Sequence, residues 1–465
     1  MAEKHKKHKK RRTATQAAAS IGPMVKEAIG GTLKAKAKGK KLAFSFICCS
    51  YDEIIRAMDI VPVWTENYAG ICGAKRDAGR FLERAESLGL SRSLCTYALC
   101  GIGFDQWREE LGEMPPDPPW GGQARPDMML SSGQILCDPR NKWYQASQLY
   151  MPDVPVYNVD LPYPLFDDDI EVADVRNYYV KHIVEELHGL VGFLEDQTGK
   201  KMDYDRLSER VDLSERTWNL IWETYELRRA VPTPMGTGDA MNTMVPMVFM
   251  MGTQEAYDFY ERLNAELKDK IARKEGVVKD EKYRLLWGGG LPSWFALTDF
   301  NYFNSKGAVF PVETTYRMVE PIYNMYMPDT SDPIERLAWR WLGYWTFWYD
   351  KAKKRPGSDP DVERLIQYIE DYQIDGIVMH EAFSCRTWHL GLIWQLNQLA
   401  KIYKPIPVLV LGKDGKDKEG RELPSLILES DIIDITSYSE VDTRNRIDVF
   451  IETLESVAKT KAGQK

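Results

Sequence analysis

The alternation of apolar and polar positions changes character twice along this chain, and the changes divide it. Leu42-Ala43-Phe44-Ser45-Phe46-Ile47 reads as a buried strand, Tyr51 to Met58 as a short helix, and Ile60-Val61-Pro62-Val63-Trp64 as a second strand. Apolar run, turn, helix, apolar run is the cadence of a parallel sheet, whose strands are covered on both faces and joined through helices. It recurs at Asp127-Met128-Met129-Leu130, a helix around Lys142 to Tyr150, and Val154-Pro155-Val156-Tyr157. From about Asp168 to Lys274 long amphipathic helical stretches take over, such as Val172 to Thr198, interrupted by a Met-rich segment from Met235 to Met251. Strand-like runs return at Tyr283 to Trp287, Ala308 to Pro311, Gly376 to Met379 and Val408 to Leu411. The prediction is an α/β protein: two related doubly wound parallel-sheet domains, 41–165 and 276–465, with a helical middle segment, 166–275.

The two α/β units read as distant copies. Asp127 leads an apolar run ending ten residues later at Cys137, followed by a helix and a Val-Pro-Val strand. Asp375 leads a run ending ten residues later at Cys385, followed by a helix and Pro405-Ile406-Pro407-Val408. In open parallel sheets ligands collect at the carboxyl ends of strands, beside helix N-termini. Both cysteines are predicted to fall there.

Charge refines the picture at one end. Residues 1–41 hold 13 Lys or Arg against Glu3 and Glu27, a balance of +11, leaving 48 basic and 67 acidic residues, −19, for the rest. Residues 1–40 are therefore expected to be a disordered, solubilising basic tail beside an acidic body, with no nucleic-acid role, although a basic run such as His5 to Arg12 also suits a polyanion. At 44% hydrophobic and 28% charged the composition is ordinary for a globular protein, and no apolar run approaches the roughly 18 residues of a membrane span. Seven cysteines, an odd number without an export-type leader, point to reduced thiols, metal ligands or packing in the cytoplasm.

A cysteine between a strand and a helix meets the positive end of the helix dipole, which favours the metal-binding thiolate. Cys137 and Cys385 fit that position, and Cys95 precedes a Gly-rich segment, Gly101-Ile102-Gly103. Three such thiolates suit a [4Fe-4S] cluster with one iron left for an outside ligand. Their gaps of 42 and 248 residues match no compact cluster motif, and small buried hydrophobes remain the competing reading.

Larger motifs bear on that choice. Glu66-Asn67-Tyr68-Ala69-Gly70, Gly73-Ala74-Lys75-Arg76 and Cys95-Thr96-Tyr97 open a series continued by Pro126-Asp127-Met128-Met129-Leu130 with Cys137, Lys142-Trp143 and Asp160-Leu161-Pro162-Tyr163. Glu281-Lys282-Tyr283-Arg284-Leu285, Asp375-Gly376-Ile377 with Ser384-Cys385, Glu429-Ser430-Asp431 and Arg444-Asn445-Arg446 close it. In order and spacing the series resembles the 2-hydroxyacyl-CoA dehydratase and benzoyl-CoA reductase family from about Lys40 to Ala458, and its layout is most similar to the larger cluster-bearing subunit of ATP-dependent benzoyl-CoA reductase. The resemblance implies an enzyme subunit with a [4Fe-4S] cluster on Cys95, Cys137 and Cys385. It implies a smaller homologous cluster-bearing subunit as partner and an ATP-hydrolysing iron-sulfur activator supplying low-potential single electrons. The expected substrate is an aromatic acyl-CoA thioester reduced in its ring. The alternatives are dehydration of an (R)-2-hydroxyacyl-CoA by the same ketyl radical chemistry, or an electron-relay and interface role without substrate.

Other residues are candidates around such a site. His380 and Glu381 end the strand leading to Cys385, where an acid or hydrogen-bond donor can serve an oxyanion; a histidine satisfied by backbone is the competing reading. Gly288-Gly289-Gly290 and Ser293 sit between a strand and a helix, where bare backbone suits a CoA phosphate, or merely a turn. Cys48 and Cys49 are expected to pack a strand end, and Cys72 and Cys100 to be structural. Met241, Met244, Met247, Met250 and Met251 form a core stripe or a deformable wall for an acyl group. Seven aromatics within residues 339–349 encircle one helix, and a subunit interface is expected to cover part of them.

Overall fold

The computed structural model describes residues 15–47, 51–131, 137–162, 164–166, 168–317, 326–355, 358–389, 391–403 and 423–463. Its first sheet holds β1 (Leu42–Ser45), β2 (Val61–Trp64), β3 (Met128–Ser131) and β4 (Val156–Asn158), in the order β2-β1-β3-β4. The second holds β5 (Tyr283–Gly288), β6 (Ala308–Glu313), β7 (Gly376–Ala382) and β8 (Ser425–Ser430), in the order β6-β5-β7-β8. All pairings are parallel, and the strand order of one sheet repeats that of the other. Pro62 lies on an edge strand, where its missing N–H costs no ladder bond.

One detail carries the repeat to atomic level. The Leu42 N–H donates to Asp127 Oδ2 at 2.9 Å while the Asp127 N–H donates to the Leu42 carbonyl at 2.8 Å. Arg284 and Asp375 make the same reciprocal pair, at 3.0 and 2.7 Å. Each aspartate sits one residue before its strand and fixes that strand against the sheet's central neighbour.

Between the sheets lie helices Ala173–Thr198, Tyr204–Leu227, Thr237–Phe249 and Gln254–Ala272. The Met-rich segment is thus a helix itself, and Met241, Met244 and Met247 are buried in it beside Tyr260 and Tyr316. A single apolar core runs through the first sheet, these helices and part of the second sheet, so the lobes are packed as one body.

Two expectations change. Residues 16–37 are not a disordered tail: Gln16–Ser20, Gly22–Gly30 and Thr32–Ala37 are helical. Thr15 caps the first of them, Asp239 accepts from its N–H at 2.9 Å, and Glu266 accepts from the N–H of Gln16 at 2.7 Å. The Lys-rich composition hid this because the acids that receive the helix N-terminus lie more than 200 residues away. His5 to Arg12 lie outside the described residues.

The aromatic helix, Pro333–Lys353, is covered largely from within the chain. Trp339, Trp341, Trp348 and Tyr349 are buried, with Trp341 Nε1 donating to the Pro162 carbonyl at 3.1 Å and the Tyr349 hydroxyl to that of Pro164 at 2.6 Å. No second subunit is needed to bury those four. Val408 to Leu411, read as strand-like, lies outside the described residues; the strand β8 that pairs with β7, Ser425–Ser430, was not singled out in the sequence. Its polar ends, Ser425, Glu429 and Ser430, disguise a strand whose middle is buried. Among the described residues no helix is long and apolar enough to cross a membrane.

Candidate functional site

The three singled-out cysteines share one position, each just before a helix. Cys95 is the residue before helix Thr96–Leu111, Cys137 precedes helix Asp138–Tyr150, and Cys385 precedes the short helix Arg386–His389. Each sulfur is favoured as thiolate by the backbone N–H three residues on: Ala98, Arg140 and Trp388. That is the donor a side-chain cap would use at a helix start.

The helix ends do not, however, make thiolates. Burial pushes the Cys385 thiol up to about 12, and raises Cys95 and Cys137 as well. A helix N-terminus is worth about 0.3–1 kcal/mol to a charge, less than the roughly 1.4 kcal/mol in one pKa unit. Desolvation therefore wins, and the expectation of a dipole-ionised thiolate is corrected: without a cation the three are half-buried, protonated thiols. Cys137 and Cys385 both raise Cys95, and Cys137 raises Cys385, so the three lie within reach of one another's charge.

Two of them belong to the first lobe and are held by its helices. Helix Thr96–Leu111 crosses helix Asp138–Tyr150 at Gly101, where a Cβ would stand 1.9 Å from the Trp143 ring, so only glycine permits the approach. Cys385 comes from the other lobe. Its N–H donates to the Ala382 carbonyl at 2.9 Å in the turn leaving β7, and its neighbour Ser384 meets Thr96, the neighbour of Cys95, at 3.0 Å.

Glu66 and Arg140 join this group, and their chemistry was not legible in the sequence. The Arg140 guanidinium grips Glu66 with Nη2 at 2.5 Å and Nε at 3.2 Å, and donates from Nη1 to the Ile47 carbonyl at 3.1 Å. The Glu66 carboxylate raises all three thiols, while Arg140 lowers Cys137. The one available signal was position, since Arg140 falls on the first turn after Cys137.

His380 is 2% exposed and spoken for at both nitrogens. The Leu291 carbonyl, 2.7 Å from Nδ1, can only accept, so Nδ1 carries a proton, and Nε2 lies 3.0 Å from the Ser430 hydroxyl. Its ring stacks on Trp287. This is an enclosed, structural histidine, not one presented to a ligand. Glu381 is half-buried, its carboxyl raised by burial and by Glu429, its partner across β7 and β8. The glycine run is likewise explained by packing. A Cβ on Gly289, whose φ is +79°, would meet the His380 carbonyl oxygen at 2.3 Å, and one on Gly290 the Trp388 ring at 2.5 Å. Gly288 and Ser293 are buried too, so none of the four lines an open anion site. Cys72 and Cys100 are fully buried and adjacent, and Cys48 and Cys49 lie outside the described residues.

Among the described residues no three His, Cys, Asp or Glu converge tightly enough for a single ion. Cysteine sulfur is the soft donor type that iron-sulfur clusters take.

Residues 49–454 match the family described as 2-hydroxyglutaryl-CoA dehydratase, D-component. A benzoyl-CoA reductase subunit from Thauera aromatica is 26% identical over 431 residues, 90% of each chain. The (R)-phenyllactyl-CoA dehydratase alpha subunit of Clostridium sporogenes is 23% identical over 83% of this chain and 86% of its own. The (R)-2-hydroxyisocaproyl-CoA dehydratase alpha subunit of Clostridioides difficile is 27% identical over 96% and 97%.

Proposed function

The chain belongs to the 2-hydroxyglutaryl-CoA dehydratase, D-component, family, and from that premise we propose that it is the iron-sulfur subunit of an enzyme of benzoyl-CoA reductase type acting on an aromatic acyl-CoA. The observation that carries the reading is the threefold one: Cys95, Cys137 and Cys385, from two lobes, each in the same place before a helix and each within reach of the others' charge. These three would hold a [4Fe-4S] cluster. When bound, it supplies low-potential single-electron chemistry.

What the chain's own residues do is hold and charge the place. The three cysteines are half-buried, which limits the water beside them, as a radical on a thioester requires. The Glu66–Arg140 pair sets a fixed ionic wall against Cys137. The partner subunit and an ATP-hydrolysing activator belong to the same proposal, as does the cytoplasm as compartment. Dehydration of an (R)-2-hydroxyacyl-CoA is the second reading, favoured by two dehydratase alpha subunits that match along most of their length.

Anaerobic purification followed by iron and sulfide analysis tests the cluster, with about four irons per chain expected. Adding benzoyl-CoA or a 2-hydroxyacyl-CoA to the reduced protein tests the substrate. A change in the paramagnetic signal supports substrate binding here, and an unchanged signal with every acyl-CoA leaves only a relay role.

A further inference from the structure

Cys95 and Cys137 are placed by helix packing inside one lobe, but Cys385 arrives from the other, and something must register the lobes at the sulfurs. Three buried polar residues meet there. Thr96 Oγ1 donates to Asp431 Oδ1 at 2.7 Å, and Thr96 is 2%, Ser384 4% and Asp431 3% exposed. With the Thr96 proton committed to the carboxylate, Ser384 is the donor in its 3.0 Å contact with Thr96 Oγ1. The same Asp431 oxygen accepts from the N–H groups of Ile433 and Asp434, each at 3.0 Å, and the Asp431 carbonyl accepts from Ser293 at 2.6 Å. His380 stands behind Ser293 and Ser430.

We propose that Thr96, Ser384 and Asp431 form an interlobe latch, with Asp431 as the positioning residue that sets Cys385 against Cys95 before any cluster is present. The inference rests on the cluster reading for its purpose but not for its geometry. Thr96 directly follows Cys95, Ser384 directly precedes Cys385, and Asp431 directly follows β8, whose register with β7 is fixed up to Ala382 and Ser430. A chain of buried hydrogen bonds ending on a carboxylate is stiff and costly to leave half-made. One latch thus holds two sulfurs whose residues are 290 positions apart.

The test compares full-length wild type with Thr96→Val, Asp431→Ala and the conservative Thr96→Ser. In iron-free protein, dibromobimane bridges only neighbouring thiols, and peptide mapping reads the Cys95–Cys385 bridge. In anaerobic iron-loaded protein, a chelator reads the rate of iron loss. Thr96→Val and Asp431→Ala are expected to cut the bridge yield and to speed iron loss about tenfold, with Thr96→Ser keeping both near wild type. Should Thr96→Val fail to fold, Ser384→Ala, which removes a single hydroxyl, carries the same expectation. Folded variants that bridge and retain iron like wild type overturn the latch, as does wild type without a Cys95–Cys385 bridge. Bridging that falls in the variants of a chain that binds no iron upholds the latch while removing the cluster.

Discussion

Thr96 and Asp431 stand 335 residues apart in sequence and are joined by a buried 2.7 Å hydrogen bond between the two lobes. Removing the carboxylate altogether orphans Thr96 and the N–H groups of Ile433 and Asp434. Asp431→Ala is expected to cost about 2–3 kcal/mol of stability, read from urea unfolding of the iron-free chain. A cost near zero would mean that water replaces these bonds at once.

Gly101 gives a steric prediction. Gly101→Ala drives a methyl into the Trp143 ring and is expected to cost about 1–3 kcal/mol. Trp143→Phe makes room, so the double variant should recover part of the loss. Simple additivity in thermal melts would show that the two residues do not meet.

The Arg228–Glu313 pair, 2.7 Å apart and wholly buried, is strong only as a pair. Glu313→Ala leaves the guanidinium uncompensated and should cost about 3–5 kcal/mol. Arg228→Met with Glu313→Leu should lose much less, because neither variant residue buries a charge. Equal losses in the single and double variants, by urea unfolding, would contradict this.

Asp52 makes stability depend on pH. Burial, with Glu53 beside it, pushes its carboxyl up to about 7, so the folded chain keeps a proton that the unfolded chain gives up near pH 4. Stability from this group is full below pH 4 and is lost as pH rises to about 7. Relative to wild type, Asp52→Asn should therefore gain melting temperature between pH 4 and 8. A difference that stays constant with pH would place the Asp52 carboxyl at its ordinary value.

How much of this was legible in the sequence depended on the range of the interaction. The strands Leu42–Ser45 and Gly376–Ala382, the helix starts after Cys137 and Cys385, and the repeated Asp-to-Cys spacing are local patterns, and they could be read directly. Helices within residues 16–37 could not, because Asp239 and Glu266 stabilise their start from far along the chain. His380 and the glycines invited a functional reading by type alone, and only the close approach of backbone to backbone at Gly289 shows why they are what they are. Glu66 and Asp431 are ordinary acids in sequence. Their importance comes from which buried groups they face.

Iron and acid-labile sulfide, counted per chain in anaerobically purified wild type and in Cys95→Ser, Cys137→Ser and Cys385→Ser, test the assignment most directly. About four irons and four sulfides in wild type, falling sharply in each variant while Cys72→Ser keeps them, is the expected result. A wild type with almost no iron, or three variants that hold as much as it does, would contradict it.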